Sequence, residues 1–97
     1  MTENKKEFVL SKQLLRSGTS IGANIEEAIG GQSESDFFSK LTIAYKEARE
    51  TGYWIKLMRD SDLLSREEAV SILNDCEELL RIIGKIQSTI RTKNRNS

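Results

Sequence analysis

Among 97 residues there is not one proline. Proline breaks helix interiors and marks turns, so a chain without it is free to hold long uninterrupted helices. Three segments carry the helical period. The first spans about residues 6–29, with Phe8, Leu10, Leu14, Leu15, Ile21, Ile25, Ala28 and Ile29 at three- and four-residue steps. Gly30-Gly31 closes it, a pair able to take the left-handed conformation at a helix C-terminus. The second covers about 33–60, with Ser33 as its N-cap and Asp36 three residues on. Its stripe is Phe37, Leu41, Ala44, Tyr45, Ala48, Ile55 and Met58, widened by Phe38, Trp54 and Leu57. The third covers about 65–91 and opens on Ser65 and Glu68, the Ser-x-x-Glu capping box. Ala69, Cys76, Ile83 and Ile90 then follow at sevens, the spacing of bundle packing. No segment alternates with period two. The expected fold is all-α: an up-down antiparallel bundle of three long helices in a single domain over 1–97, with a flexible tail at 92–97.

Composition removes most chemistry. There is no histidine, so no imidazole base or ligand. One cysteine excludes an internal disulfide and a thiolate metal cluster, and points to a reducing cytoplasm. No apolar stretch approaches the ~20 residues of a membrane span, so no membrane partner is expected. Cys76 falls on the heptad stripe and reads as a small core residue. Glu47 and Glu50, flanked by Lys46 and Arg49, read as ordinary surface pairs rather than as a Mg²⁺ site. The expectation is a protein that is not an enzyme and uses no cofactor or metal.

The local oddity is Ser17-Gly18-Thr19-Ser20-Ile21-Gly22-Ala23-Asn24, poor helix formers in mid-helix. Gly18 and Gly22 share a face and, with Ala23 and Ser17 nearby, admit another backbone closely. Close helix–helix packing is therefore expected there, with a helix broken at Gly18 as the structural alternative. A phosphate cradle is disfavoured, because no strand precedes the segment and no phosphate-loop pattern is matched.

Fifteen Lys+Arg balance fifteen Asp+Glu, yet they fall in blocks. Residues 26–36 carry four acids and no base, 37–59 five bases against two acids, 60–80 seven acids and one base, and 81–97 five bases alone. Helix-dipole complementarity accounts for the third helix, with acids at its start and bases at its end. The second helix offers a functional reading. Lys40, Lys46, Arg49, Lys56 and Arg59, joined by Lys12 and Arg16, make a candidate basic face for RNA or DNA phosphates. Tyr53 and Trp54 are candidates for base stacking where exposed, with core or interface placement the favoured fate of Trp54. The competing reading is a structural or adaptor oligomer that binds a protein partner without touching nucleic acid.

The run from Phe8 through Ser11-Lys12-Gln13-Leu14-Leu15-Arg16-Ser17-Gly18-Thr19-Ser20-Ile21-Gly22-Ala23-Asn24 to Ala28 closely resembles the hallmark of the four-helix-bundle proteins encoded in ribosomal RNA intervening sequences. So do Asp36-Phe37-Phe38-Ser39-Lys40-Leu41 through Thr51, then Tyr53-Trp54 and Asn74-Asp75-Cys76-Glu77-Glu78-Leu79. The resemblance covers about residues 5–92. It extends to accessory proteins of diversity-generating retroelements, which form homopentamers and bind nucleic acid and a reverse transcriptase. It implies a helical bundle, a homo-oligomer and nucleic-acid binding, and no catalytic residues. Members usually carry a further amphipathic helix ahead of the segment matching Lys5-Lys6-Glu7-Phe8. By that pattern the chain is one helix short, and self-association is expected to complete the bundle.

Overall fold

The computed structural model describes residues 3–95. Three helices account for nearly all of them: α1, Glu3–Ile29; α2, Glu34–Asp60; and α3, Arg66–Arg95. The two helix starts expected from the sequence are built as their side chains dictate. The Ser33 hydroxyl accepts the Asp36 amide at 3.0 Å. Ser65 and Glu68 close a reciprocal box, the Glu68 amide donating to Ser65 Oγ (3.1 Å) and the Ser65 amide to Glu68 Oε1 (3.0 Å). The Ser65 amide bonded to the ionised carboxylate, helped by the Ser65 hydroxyl, holds the Glu68 pKa below its ordinary value.

The ends of the helices depart from expectation in three places. α1 stops at Ile29, but neither Gly30 nor Gly31 adopts positive φ. What position 31 needs is smallness: a Cβ there would lie 3.2 Å from the Ala28 carbonyl oxygen and 3.3 Å from Asp36 Cβ. The left-handed cap falls instead at Asp62 (φ 61°), after α2. There Asp62 N–H bonds Arg59 O and Leu63 N–H bonds Met58 O, the paired bonds of a Schellman motif. Third, α3 runs past residue 91 to Arg95, so 92–95 is helix rather than flexible tail, and 96–97 lie outside the described residues. Its last turns touch α2, with the Lys93 ammonium 3.1 Å from Glu34 and the Arg91 guanidinium over the Phe38 ring.

The short connections make α1/α2 and α2/α3 antiparallel neighbours in an elongated body of 56 × 22 × 16 Å. α2 is the central helix, packed along both α1 and α3, whose backbones do not approach each other within 8 Å. Two apolar clusters lie along α2. Ala28, Leu41, Ala44 and Ile83 form one, with Ile25, Phe37, Tyr45 and Leu79 against it. Ile55, Ala69 and Cys76 form the other, joined by Leu14, Leu64, Ile72 and Leu73. Three of the four sevens of α3 are thus core: Ala69, Cys76 and Ile83 are buried, while Ile90 is half-buried. Burial, with Asp75 as a neighbour, raises the Cys76 thiol pKa.

Candidate nucleic-acid interface

α1 is continuous through its glycines. Its polar residues bond back onto their own helix, Ser17 Oγ to Leu14 O and Asn24 Nδ2 to Ser20 O, and these bonds satisfy side chains that otherwise compete with helix. Close packing inside the chain is carried by Ser17 (0% exposed), whose Oγ accepts from Thr51 Oγ1 of α2 at 2.9 Å. Gly18, Gly22 and Ala23 take no part in that packing within the chain. All three are exposed, and nothing lies within 4 Å of a Cβ built on either glycine. They face away from α2 because the helical period puts Ser17, Ile21 and Ala28 on the inner side.

The seven candidate cations separate into two groups. Arg16 pairs with Glu50 and lies 3.5 Å from Glu47, so it ties α1 to α2. The acids therefore serve the α1 seam and are not neutralised by adjacent Lys46 and Arg49, contrary to the surface-pair reading. Lys40 reaches Glu27 at 3.0 Å across the same seam. Arg59 bonds neighbouring Asp60, also at 3.0 Å. Three of the seven are thereby committed. Lys46, Arg49 and Lys56 make no ion pair among the described residues, nor does Lys12, which stands one turn before Arg16 on exposed α1.

Spacing then decides which free cations act together. At 100° per residue, Lys46, Arg49, Tyr53 and Lys56 fall within one quadrant of α2, and all four are exposed. This quadrant is the back of the helix, opposite Ala44, Ala48 and Ile55. Arg49, Tyr53 and Lys56 also line one side of a shallow α2–α3 groove, with Ala48, Gly52, Leu73, Cys76 and Leu80 below and Glu77 on the α3 side. Lys12, Arg16, Lys40 and Arg59 are not part of this stripe.

Tyr53 and Trp54 have opposite fates. Trp54 is half-buried, its indole N–H donating to Glu50 Oε1 at 3.1 Å, while Tyr53 is 56% exposed. Their rings meet edge to face, centroids 5.1 Å apart at 68°. The half-burial of Trp54 agrees with the core or interface placement its sequence context favours. The helical period separates the two, putting Tyr53 between Arg49 and Lys56 and turning Trp54 toward α1.

Apolar side chains are exposed on both outer helices. Phe8, Leu15 and Ile29 of α1 and Ile82 and Ile86 of α3 are exposed. Among the described residues no cluster of His, Cys, Asp and Glu is arranged to hold a metal ion, and no helix is long and apolar enough to cross a membrane.

A protein of unknown function from the S23 ribosomal protein family of Bacteroides thetaiotaomicron is 53% identical to this chain, and its crystal structure superposes with a TM-score of 0.81. The match covers 86% of this chain and 77% of that one. No curated protein matches the sequence. The family pattern for the 23S rRNA-intervening sequence protein extends over residues 1–85, so the chain belongs to that family.

Proposed function

We propose that this chain is a non-enzymatic, cytoplasmic nucleic-acid-binding protein that contacts the phosphates of RNA or DNA through the back of α2. The supporting observation is the stripe of Lys46, Arg49 and Lys56, exposed and unpaired while neighbouring Arg16, Lys40 and Arg59 are taken up by carboxylates. Three phosphate contacts give a salt slope of about −2 for a single strand and about −3 for a duplex. Raising salt from roughly 50 to 200 mM then weakens binding about 20- to 40-fold. The triple variant K46E/R49E/K56E is expected to abolish a gel shift that the parent shows at low salt. An unchanged shift, or a parent affinity indifferent to salt, overturns the proposal.

A second reading is a self-associating adaptor, supported by the exposed Phe8, Leu15, Ile29, Ile82 and Ile86. At about 25 cal/mol per Å², leaving a few hundred Å² of such surface wet costs several kcal/mol. The occupant that reading requires is a second copy of the chain. Light scattering after size exclusion is expected to give a multiple of 11.0 kDa at micromolar concentration, and a folded monomer there overturns it.

A further inference from the structure

Resting on the nucleic-acid reading above, we infer that Tyr53 is a base-stacking platform, and that the ligand of the α2 back face is therefore single-stranded. The phenol ring is 56% exposed on an otherwise polar surface. Free cations stand one turn before it (Arg49) and one turn after it (Lys56), with Lys46 a further turn back on the same quadrant. That alternation of ring and cation is what a single strand requires, with phosphates on the ammonium and guanidinium groups and an unstacked base on the ring. A duplex keeps its bases stacked inside and has no use for an exposed phenol.

The ring is held in place. Trp54 packs edge-on against it, and Trp54 is itself anchored by Glu50, which also binds Arg16. The platform is thus fixed to the α1–α2 seam before any ligand arrives. On its other side the groove floor is apolar, and its α2 wall is small-sided at Ala48 and Gly52, with Gly52 leaving open the space beside Leu73 that a larger side chain would fill. A base lying on Tyr53 has that floor to cover. Glu77 faces the same groove. Its charge opposes a phosphate there, so the backbone of the strand runs along the Lys46–Lys56 rim and the base edge points toward α3. A carboxylate at that position accepts hydrogen bonds from the exocyclic amines of cytosine or adenine.

The test compares fluorescein-labelled oligonucleotides by anisotropy at low salt: a 12-nucleotide single-stranded RNA of mixed sequence, its DNA equivalent, and the duplex of each. The parent is expected to prefer either single strand over its duplex. Tyr53→Ala is expected to weaken single-strand binding about 5- to 150-fold, the range for one base stacked on an aromatic ring, and to leave duplex binding within twofold. Tyr53→Phe retains the ring and is expected to retain the affinity. Trp54, the sole tryptophan, reports independently, because its emission beside Tyr53 changes when a base covers the ring. Circular dichroism of each variant shows that the helices are intact. If Tyr53→Ala binds single strands as the parent does while K46E/R49E/K56E does not bind, the platform is refuted and the phosphate-binding reading stands. If the parent binds neither single strand nor duplex, both are refuted.

Discussion

Gly18 and Gly22 offer the sharpest test of how α1 sits in this molecule. Both lie well inside a 27-residue helix, and a Cβ at either would have nothing within 4 Å. Replacing each with alanine therefore adds no clash, removes the excess backbone entropy of glycine, and gains about 0.8–1.0 kcal/mol. The double variant G18A/G22A is expected to gain about 1.6–2 kcal/mol, against a total of roughly 5–15 kcal/mol for a chain of this length. With an unfolding entropy near 2.1 cal/mol/K per residue, that raises Tm by about 8–10 °C. Gly31→Ala supplies the contrast: its Cβ would press on the Ala28 carbonyl and Asp36, and the variant is expected to melt below the parent. The assay is thermal melting followed by circular dichroism over a hundredfold range of protein concentration. At the dilute end the gain stands alone. At the concentrated end a second copy seated on the Leu15–Ile29 face meets the same two methyl groups, so the gain shrinks. A double variant no more stable than the parent at the dilute end refutes the open face, because some element of the chain would then have to lie against it.

Other expectations concern the core and the caps. Ile55, fully buried between Ala69 and Cys76, is expected to lose about 3 kcal/mol on truncation to alanine, seen as a lower urea midpoint at unchanged slope; a loss under about 1 kcal/mol refutes the packing. Glu68 has a lowered pKa in the folded chain, so its contribution is present above the unfolded value and is lost as pH falls through the folded one. Glu68→Gln is accordingly expected to reduce stability at neutral pH and to leave it unchanged in acid, and equal loss at both contradicts the capping box. The Cys76 thiol, with its pKa raised by burial, is expected to resist iodoacetamide at neutral pH and to react fully in urea. Rapid alkylation of the folded protein would show that α2 does not cover it.

What the sequence discloses and what it hides divide along a physical line. Local signals are legible: the Ser33 and Ser65 caps and the first three sevens of α3 depend on residues within a turn or two, and each is found where the pattern puts it. Signals that depend on a partner element are not. Asp62 takes the left-handed cap after α2, although asparagine and aspartate only tolerate that conformation whereas glycine prefers it, so the eye goes to Gly30-Gly31. The fate of Gly18 depends on which side of α1 meets α2, and the chain has two apolar sides from which to choose. The candidate site suffers most. Lys40 and Lys46 are indistinguishable by type, and only the antiparallel register of α1 on α2, which brings Glu27 to one and no acid to the other, separates them.

That register also resolves the tension between a zero net charge and the proposed phosphate-binding surface. Coulomb attraction over long range depends on the sum, which is zero here, and at physiological salt the Debye length is about 8 Å. A ligand several screening lengths away is therefore not steered toward the molecule. Within a screening length only the local pattern counts. On the back of α2, the one acid flanked by the cations is Glu50, already bound by Arg16 and by the Trp54 indole. Of the seven acids of the 60–80 block, Glu67 and Glu68 stand in the first turn of α3, where its macrodipole favours them, and Glu77 lines the groove. Neutrality is thus reached by pairing across the α1 seam and by segregation along α3, which leaves Lys46, Arg49 and Lys56 uncompensated at contact distance. Under the proposed function, a surface of this kind binds through contact rather than attraction. Its specificity then has to reside in what lies between the charges, and on α2 that is the ring of Tyr53.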